Sequence, residues 1–509
     1  MRLLLCLSIT WCLHLFTSTG ASAEERSINL GELPLLFADD SGISSKSGVT
    51  RTIHPAKQST TPVLQADKFW EGDRVYIHGS VYPDESSGGF RMWYLTRQEA
   101  IPNIKDIAVP GFRRNRYDVV LYATSRDGIT WEKPVLNLHA FAGSKANNIV
   151  FDLHSPSVLL DKHETDPAKR WKMLGYFGGD YYAAVSPDGL KWTSYPDKKP
   201  IFPEGDNISL AQDPTTGDYL AYHRLHATIR GTSRRTVWLS RSKDFATWSK
   251  AELTFAPDEA DDDWITEPKQ RTEVNNMSVL PHAAGYLGFP AIFRVTAPDR
   301  KNLSPEGKSI PFPKGQSPTD GYIDVQLITS ADGLHWQRTE PRVPVIARGA
   351  PGGFDAGTIL SVSSTAVHVG DETWMYYTGL TTSHGGALPE KRNAIGRAVW
   401  RRHGFASLDA KDAIGSVQTI PLHLTSTRLI INAATGKHGL VRIATLEANG
   451  SPIPGLSLDE SSGLREDATQ WEASWKSGAT VPTDRPVRIL IELKNAKLFS
   501  LAAIAGKPS

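Results

Sequence analysis

Short runs of β-branched and aromatic residues, separated by polar turns, recur along most of the chain. Five groups of such runs each begin with a mainly apolar segment, which we predict to be an innermost strand, at 75–82, 157–160, 208–212, 277–280 and 358–363. Each group continues with further strand-like runs, such as 91–95 and 118–124 in the first. Branched and aromatic side chains are enriched in strands, so each group predicts a small antiparallel sheet.

A turn pattern, Ser-x-Asp-Gly-x-x-Trp, stands near the outer end of these groups. It begins at Ser125, Ser186 and Ser330, and a fourth copy at Ser242 has Phe245 in place of the glycine. An Asp side chain can accept hydrogen bonds from the backbone just after it, and Gly adopts a positive φ easily. We therefore interpret the pattern as a structural hairpin turn and not as a catalytic site.

The five groups predict how the chain is divided. One four-stranded unit cannot bury both of its faces, but units arranged around an axis can. We therefore predict an all-β protein in which 62–412 form a five-bladed β-propeller. Longer strand-like runs at 413–509 predict a small C-terminal β-sandwich, and the stretch 24–61 is expected to pack on the outside of the first blade.

The first 23 residues have the features of a secretory signal peptide. Arg2 precedes an apolar run at 3–16, and small residues end the segment at Ala23. We expect cleavage after Ala23 and a secreted or periplasmic protein without membrane insertion. Both cysteines, Cys6 and Cys12, lie in this segment, which excludes disulfides, zinc thiolates and cysteine nucleophiles from the mature chain.

Charge and short motifs restrict the partners and cofactors. Without the signal peptide the chain would have 55 basic and 55 acidic residues, which gives no indication of nucleic acid as a partner. It has no Gly-rich phosphate loop and no zinc-ligand spacing. Asp261, Asp262 and Asp263 could bind calcium, but an acidic run is more often a solvated loop. We therefore predict no metal and no cofactor, and the oligomeric state is not indicated.

The organisation resembles the five-bladed propeller glycoside hydrolases of the invertase/levanase-like and arabinanase/xylosidase-like families, and the related mannoside phosphorylases. The turns at Ser125 and Ser330 are common in those families. Further pieces resemble secreted bacterial proteins of this type: Phe37-Ala-Asp39-Asp40, Ile53-His54-Pro55, Phe69-Trp70-Glu71, Arg91-Met-Trp-Tyr94 and Asp324-Val-Gln-Leu327. The resemblance implies a glycoside hydrolase-like protein with a carbohydrate substrate. The invertase nucleophile, Arg-Asp-Pro and Glu-Cys motifs are absent, so catalytic residues are not carried over from it.

Candidate site residues follow from their place in the propeller, because the innermost strands begin at the mouth of the central funnel. Glycoside hydrolysis needs one carboxylic acid to protonate the leaving oxygen and one carboxylate as base or nucleophile. We predict Glu273 as the acid, and Asp206, Asp355 and Glu71 as the base or as charge-stabilising groups. The predicted substrate-binding residues are His154, Asn207, Trp264, Arg97, His223 and Arg294.

Two further functions stay open beside hydrolysis. In a phosphorylase, inorganic phosphate replaces water and requires several cations in the funnel. Such cations are Arg74, Arg97, Arg294 and Arg392. A non-catalytic carbohydrate-binding propeller would instead lack two opposed carboxylates. The sugar, the linkage, endo or exo action and the stereochemical outcome are not fixed by the sequence.

Overall fold

The computed structural model of the protein describes residues 26–97, 107–108, 118–298, 300–313 and 315–506. Its regular structure is almost entirely β, with five sheets of four to six strands, one ten-stranded sheet and a two-stranded ladder. The ladder joins Ile107–Ala108 to Ala140–Phe141. Helical turns in the described part are Phe69–Glu71, Pro167–Lys169 and Ala260–Asp262, and no helix there could cross a membrane.

The five smaller sheets are the blades of a propeller, which confirms the predicted five-bladed architecture and the all-β class. The first blade contains Val75–Tyr76, Val81–Asp84, Gly89–Arg97, Asp118–Ser125 and Ile149–Phe151. The second contains His154–Leu160, Trp171–Phe177, Asp180–Ser186, Thr193–Tyr195 and Phe202–Pro203. The third contains Ile208–Gln212, Tyr219–Ile229, Thr232–Ser242 and Glu252–Phe255. The fourth contains Arg271–His282, Gly285–Ala297, Asp320–Val325, Ile328–Ser330 and Gln337–Arg338. The fifth contains Thr358–Val362, Val367–Val369, Glu372–Leu380 and Asn393–Arg401.

Hydroxyl groups on the innermost strands join neighbouring blades around the axis. Ser80 Oγ in the first blade donates to the carbonyl of Val158 in the second at 2.6 Å. Ser361 Oγ in the fifth blade donates to the carbonyl of Ile77 in the first at 2.6 Å, which closes the ring. These bonds satisfy carbonyl groups that face the buried axis.

The repeated turn has the structural role that its sequence predicts. Asp127 Oδ1 accepts from the backbone N–H groups of Ile129 at 2.8 Å and Thr130 at 2.7 Å, and Gly128 has a φ of +68°. The hydroxyl of Tyr376 in the fifth blade donates to the carbonyl of Gly128 at 2.7 Å. Equivalent bonds join Trp93 to Gly189 and Tyr222 to Gly333. The turn therefore fixes its own hairpin and ties it to the preceding blade.

We expected the stretch 24–61 to pack on the outside of the first blade. In the structure its strand Lys57–Gln58, together with the following strand Leu64–Gln65, pairs with Asn393–Arg401 and completes the fifth blade. The chain leaves the fifth blade after Arg401 for the C-terminal sheet, so this edge needs a strand from elsewhere. An unpaired edge would expose a row of backbone N–H and C=O groups.

The ten-stranded sheet is built on one long strand, Val487–Ala503, which pairs with Leu429–Glu447 along one side. Its other side carries Leu422–Leu424, Gly415–Thr419, Ala406–Ala410 and Leu35–Leu36 in succession. The remaining strands are Ile28–Leu30, Ile43–Ser47, Thr50–Ile53 and Ala468–Glu472. Because all ten form one hydrogen-bonded sheet, the β-sandwich expected for 413–509 stays a prediction.

Candidate functional site

A cavity of about 500 Å³ lies where the innermost strands of the propeller begin, within the size range of ligand pockets. All five blades contribute to its described lining, and the segment 315–318, which belongs to the long connection inside the fourth blade, covers part of it. Most of the lining side chains are charged or can form hydrogen bonds. The cavity can therefore hold a polar ligand about as large as a sugar.

Two carboxylates on this wall face the same histidine. His154 Nδ1 lies 3.3 Å from Asp118 Oδ2, and His154 Nε2 lies 3.1 Å from Asp206 Oδ1. His154 begins the innermost strand of the second blade, and Asp118 begins a strand of the first blade. Asp206 stands just before the innermost strand of the third blade. The imidazole thus bridges carboxylates from two other blades.

The charges of this group stabilise one another. Burial lowers the pKa of His154, but the facing carboxylates of Asp118 and Asp206 outweigh it and raise that pKa to about 9. Burial alone would raise the pKa of Asp206, whereas Arg224 and His154 hold it well below its usual value. At neutral pH the cavity therefore contains an imidazolium and an ionised Asp206.

Two arginines from the third blade stand beside Asp206. Arg224 Nη2 donates to Asp206 Oδ2, and Arg224 Nη1 donates to Asn275 Oδ1 at 2.9 Å. Arg235 Nη1 donates to the same Asn275 oxygen at 3.4 Å. Burial and the neighbouring Arg224 lower the pKa of Arg235 to about 10. The two like charges are thus close enough to disfavour each other.

The opposite side of the cavity adds two more cations. The Arg74 side chain keeps only 2% of its surface exposed, and its Nε lies 3.4 Å from Asp73 Oδ1. Lys391 Nζ donates to the carbonyls of Gly315 at 2.9 Å and His384 at 2.6 Å. Lys391 therefore holds the covering segment as well as adding a positive charge.

Of the four carboxylates predicted to be catalytic, the structure brings only Asp206 into this cavity. Glu71 is fully buried elsewhere and accepts from Tyr94 at 2.7 Å and from Lys133 at 2.7 Å. Asp355 accepts from the Tyr377 hydroxyl at 2.7 Å and is absent from the described lining. Both carboxylates have structural partners within their own blades.

Glu273 is absent from the described cavity lining but contacts Arg235, which belongs to it. Its Oε1 accepts from Arg271 Nε at 2.6 Å, and its Oε2 lies 3.3 Å from Arg235 Nε. The innermost strand of the fourth blade begins at Arg271, earlier than the predicted 277, so Glu273 belongs to the strand and not to the loop before it. Its role as the acid stays a prediction, while its contacts are those of a group that positions Arg235.

The predicted substrate-binding residues divide in the same way. His154 and Asn207 line the cavity, and Asn207 Oδ1 accepts from Ser155 Oγ at 2.9 Å. The other described ones bond inside the fold: His223 with Ser240, Trp264 with Thr272, and Arg294 with Asp324. The side chain of Arg97 lies outside the described part of the structure.

Asp261 and Asp262, in the acidic run 261–263, form ion pairs with arginines. Arg338 Nη2 donates to Asp261 Oδ2, and Arg234 Nη1 donates to Asp262 Oδ2 at 2.7 Å. In the part of the chain that the structure describes, no group of three or more His, Asp or Glu side chains is placed to hold a metal ion. These carboxylates thus serve an ion-pair network.

Several cavity residues were not predicted, although the sequence carried a signal for them. Asp118, Arg235 and Asn393 stand at or near the beginning of the third strand of their blades. Third strands begin at the end of the propeller where second strands finish, next to the starts of the innermost strands. Polar residues at those positions could therefore have been included, whereas the predicted residues lay just before innermost strands or at the ends of second strands.

No protein-family model and no curated protein matches the sequence. Solved structures with a similar fold include that of BT0996 in an RGII complex, which is 10% identical, with a TM-score of 0.44 over 68% of this protein and 92% of that one. Another is β-1,2-mannobiose phosphorylase from Listeria innocua with β-1,2-mannobiose, at 12% identity and a TM-score of 0.41 over 70% and 98%. A third is the α-L-arabinofuranosidase of Podospora anserina with cellotriose, at 12% identity and 0.40 over 68% and 96%. Each likeness is one of fold alone.

Proposed function

We propose that the protein is a carbohydrate-active enzyme that cleaves a glycosidic bond of an oligo- or polysaccharide in the propeller cavity. One observation carries the proposal: two carboxylates, Asp118 and Asp206, face the same cavity with His154 between them. Cleavage of a glycosidic bond uses such a pair, with one group supplying a proton and the other acting on the sugar as an anion.

Asp206 and Asp118, on the two sides of His154, have different roles in this proposal. Asp206 stays ionised because Arg224 pairs with it, so it acts as base or stabilises the positive charge that develops on the sugar ring. Asp118 and His154 hold the proton for the leaving oxygen, since the pKa of His154 is raised to about 9. The proposed chemistry needs proton transfer and fixed charges and calls for no cofactor.

Phosphorolysis is a second candidate, and the cations of the cavity favour it. Arg74, Arg224, Arg235 and Lys391 line the same space, and inorganic phosphate would need such a set as the attacking group. Carbohydrate binding without cleavage is the alternative if no turnover is found.

The signal peptide predicted from the sequence would place this activity in the periplasm or outside the cell. N-terminal sequencing of the protein recovered from the periplasm or the medium tests this part of the proposal. A first residue of Glu24 is expected, and an intact Met1 would contradict it.

The test is a screen of the purified protein against a panel of glycans and aryl glycosides, with and without phosphate. Asp206→Asn and Asp118→Asn should each lower turnover at least a hundredfold, the order of a lost acid or base. Asp218→Asn, in a hairpin turn, is the matched control and should keep full activity. Activity that persists in both cavity variants would overturn the proposal, and a strict need for phosphate would select phosphorolysis.

A further inference from the structure

We propose that the cavity contains an oxyanion subsite built on the Arg224–Arg235 guanidinium pair, and that the substrate is an acidic carbohydrate whose carboxylate or sulfate group binds there. The inference names the substrate class of the proposed enzyme and therefore rests on the proposed function. It is argued from the charge of the lining, the pairing of the two arginines and an unsatisfied buried amide.

The described lining is more cationic than the proposed reaction requires. Four arginine and lysine side chains line the cavity against the two carboxylates Asp118 and Asp206. His154 adds a further positive charge at neutral pH, because those carboxylates outweigh the effect of burial and raise its pKa to about 9. A protein of balanced overall charge thus concentrates positive charge at this one place, which favours an anionic ligand.

The protein's own carboxylates neutralise the arginine pair only in part. Asp206 pairs with Arg224 and, from farther away, also attracts Arg235. The described carboxylate that forms an ion pair with Arg235 is that of Glu273, which Arg271 binds more closely, at 2.6 Å against 3.3 Å. No described residue accepts a hydrogen bond from Arg235 Nη2. A planar guanidinium with a free edge is suited to a carboxylate, sulfate or phosphate.

The electrostatic effect of these cations is also seen on the neighbouring histidine. Burial, together with Arg235 and Lys391, holds the pKa of His384 well below its usual value, so this residue of the lining is neutral. Its Nδ1 lies 3.3 Å from the carbonyl of Thr319, which leaves Nε2 as an acceptor for a sugar hydroxyl. The surroundings thus offer an anion site with a hydroxyl acceptor close by.

A second, independent observation comes from Asn393, on the wall formed by the fifth blade. Its side chain is 97% buried, given its 3% exposure, and neither its Oδ1 nor its Nδ2 has a partner among the described residues. Burying an amide without hydrogen-bond partners is unfavourable, so such groups are normally satisfied. Because Asn393 lines the same cavity, a ligand oxygen and hydroxyl can supply both bonds once the buried amide turns toward that cavity.

The volume of the cavity is consistent with an anion that is attached to a sugar. A space of about 500 Å³ is far larger than one free phosphate ion, and it holds a sugar ring together with its substituent. Free phosphate has the same oxyanion chemistry, and the experiment below separates the two sources.

The test is calorimetric titration of the full chain, in the Asp118→Asn background to prevent turnover and leave the Asp206–Arg224 pair intact, with four probes. These are oligogalacturonides, sulfated oligosaccharides, neutral oligosaccharides of matched length and inorganic phosphate. We expect an acidic oligosaccharide to bind at least tenfold more tightly than its neutral counterpart, with affinity falling as salt rises. Arg235→Gln should remove this preference, while Arg126→Gln, an exposed control, should keep it.

Equal binding of acidic and neutral probes, or an unchanged preference in Arg235→Gln, would overturn the inference. Binding of phosphate without any acidic oligosaccharide would overturn it in favour of free phosphate. Turnover of a neutral glycan by the wild-type protein, together with either result, would leave the proposed function standing. Selective binding of an acidic oligosaccharide without turnover by the wild type would support the inference and count against the enzyme.

Discussion

Arg224 and Arg235 donate to a single acceptor, the side-chain oxygen of Asn275, at 2.9 Å and 3.4 Å. The arginines belong to one blade and the asparagine to the next, so the shared oxygen aligns two like charges across a blade boundary. A neutral amide holds them there without cancelling their charge. The positive potential of the cavity therefore depends on the residue at this position being uncharged.

Replacing Asn275 by Asp tests this dependence with almost no change of shape. The new carboxylate would accept the same two hydrogen bonds but bring a negative charge between the guanidinium groups. We expect the affinity for an acidic oligosaccharide to fall at least tenfold at low salt, and that for a neutral one to stay unchanged. Titration calorimetry of both probes measures it, and equal affinity of variant and wild type would contradict the expectation.

Substitution of Glu273 by Gln separates a positioning role from a catalytic one. If Glu273 holds Arg235 in place, the KM for an acidic substrate should rise several-fold while kcat changes less than threefold. If Glu273 is instead the acid predicted from the sequence, kcat should fall at least a hundredfold with little change in KM. Steady-state kinetics at several pH values distinguish the two outcomes.

The charge of His154 should make stability depend on pH in the alkaline range. Asp118 and Asp206 outweigh burial and raise its pKa from 6.5 to about 9. The rings of His78 and Tyr176 also lie beside His154, and Arg224 pairs with the far oxygen of Asp206. The stabilisation, about 3 kcal/mol, is complete below pH 6.5 and is lost as the pH rises through 9.

Thermal unfolding of wild type and His154→Gln between pH 6 and 9.5 measures this effect. We expect the Tm of the wild type to fall more steeply above pH 8 than that of the variant, which has no group to titrate at this position. Parallel curves for the two proteins would show that His154 is not protonated at neutral pH.

Alanine at Gly128 tests the repeated turn. Gly88 and Gly128 have almost the same φ, +69° and +68°, but a Cβ on Gly88 would meet no atom within 4 Å, whereas one on Gly128 would lie 2.7 Å from the Trp374 ring. Both substitutions should cost about 1 kcal/mol for the backbone conformation. Gly128→Ala should cost about 1–3 kcal/mol more for the clash. Denaturant unfolding gives both values, and equal losses would contradict the role of the turn between blades.

The sequence predicted the local parts of the fold well because they depend on neighbouring residues. The turns at Asp127, Asp188 and Asp332 repeat a short pattern. The five groups of strand-like runs correctly indicated five blades. Predicted cavity residues such as Asp206 were found because they directly precede an innermost strand.

Features that depend on distant pairing could not be predicted from local patterns. The innermost strand of the fourth blade has a break in its pairing register between Val274 and Met277. Because of this break, the sequence pattern did not indicate that the strand already begins at Arg271 and includes Glu273. The hydrogen bond from Arg235 to Asn275 depends on how the third and fourth blades pack against each other. Likewise, nothing local indicates that Lys57–Gln58 pairs with a strand more than three hundred residues later.

Completion of the fifth blade by Lys57–Gln58 and Leu64–Gln65 bears on the order in which the chain can fold. During synthesis all strands of the first four blades are made before those of the fifth. The two N-terminal strands cannot pair until Asn393–Arg401 has been made. Leu35–Leu36 can pair even later, because its partners are Ser500 and Leu501 near the other end of the chain. A fragment cut at 62 and 412 would keep Leu64–Gln65 but lose Lys57–Gln58, and the backbone of Ala398 and Val399 would then be free to pair with another molecule. The edge of the fifth blade is thus covered by a segment that is synthesised first and can pair only after the whole propeller has been made.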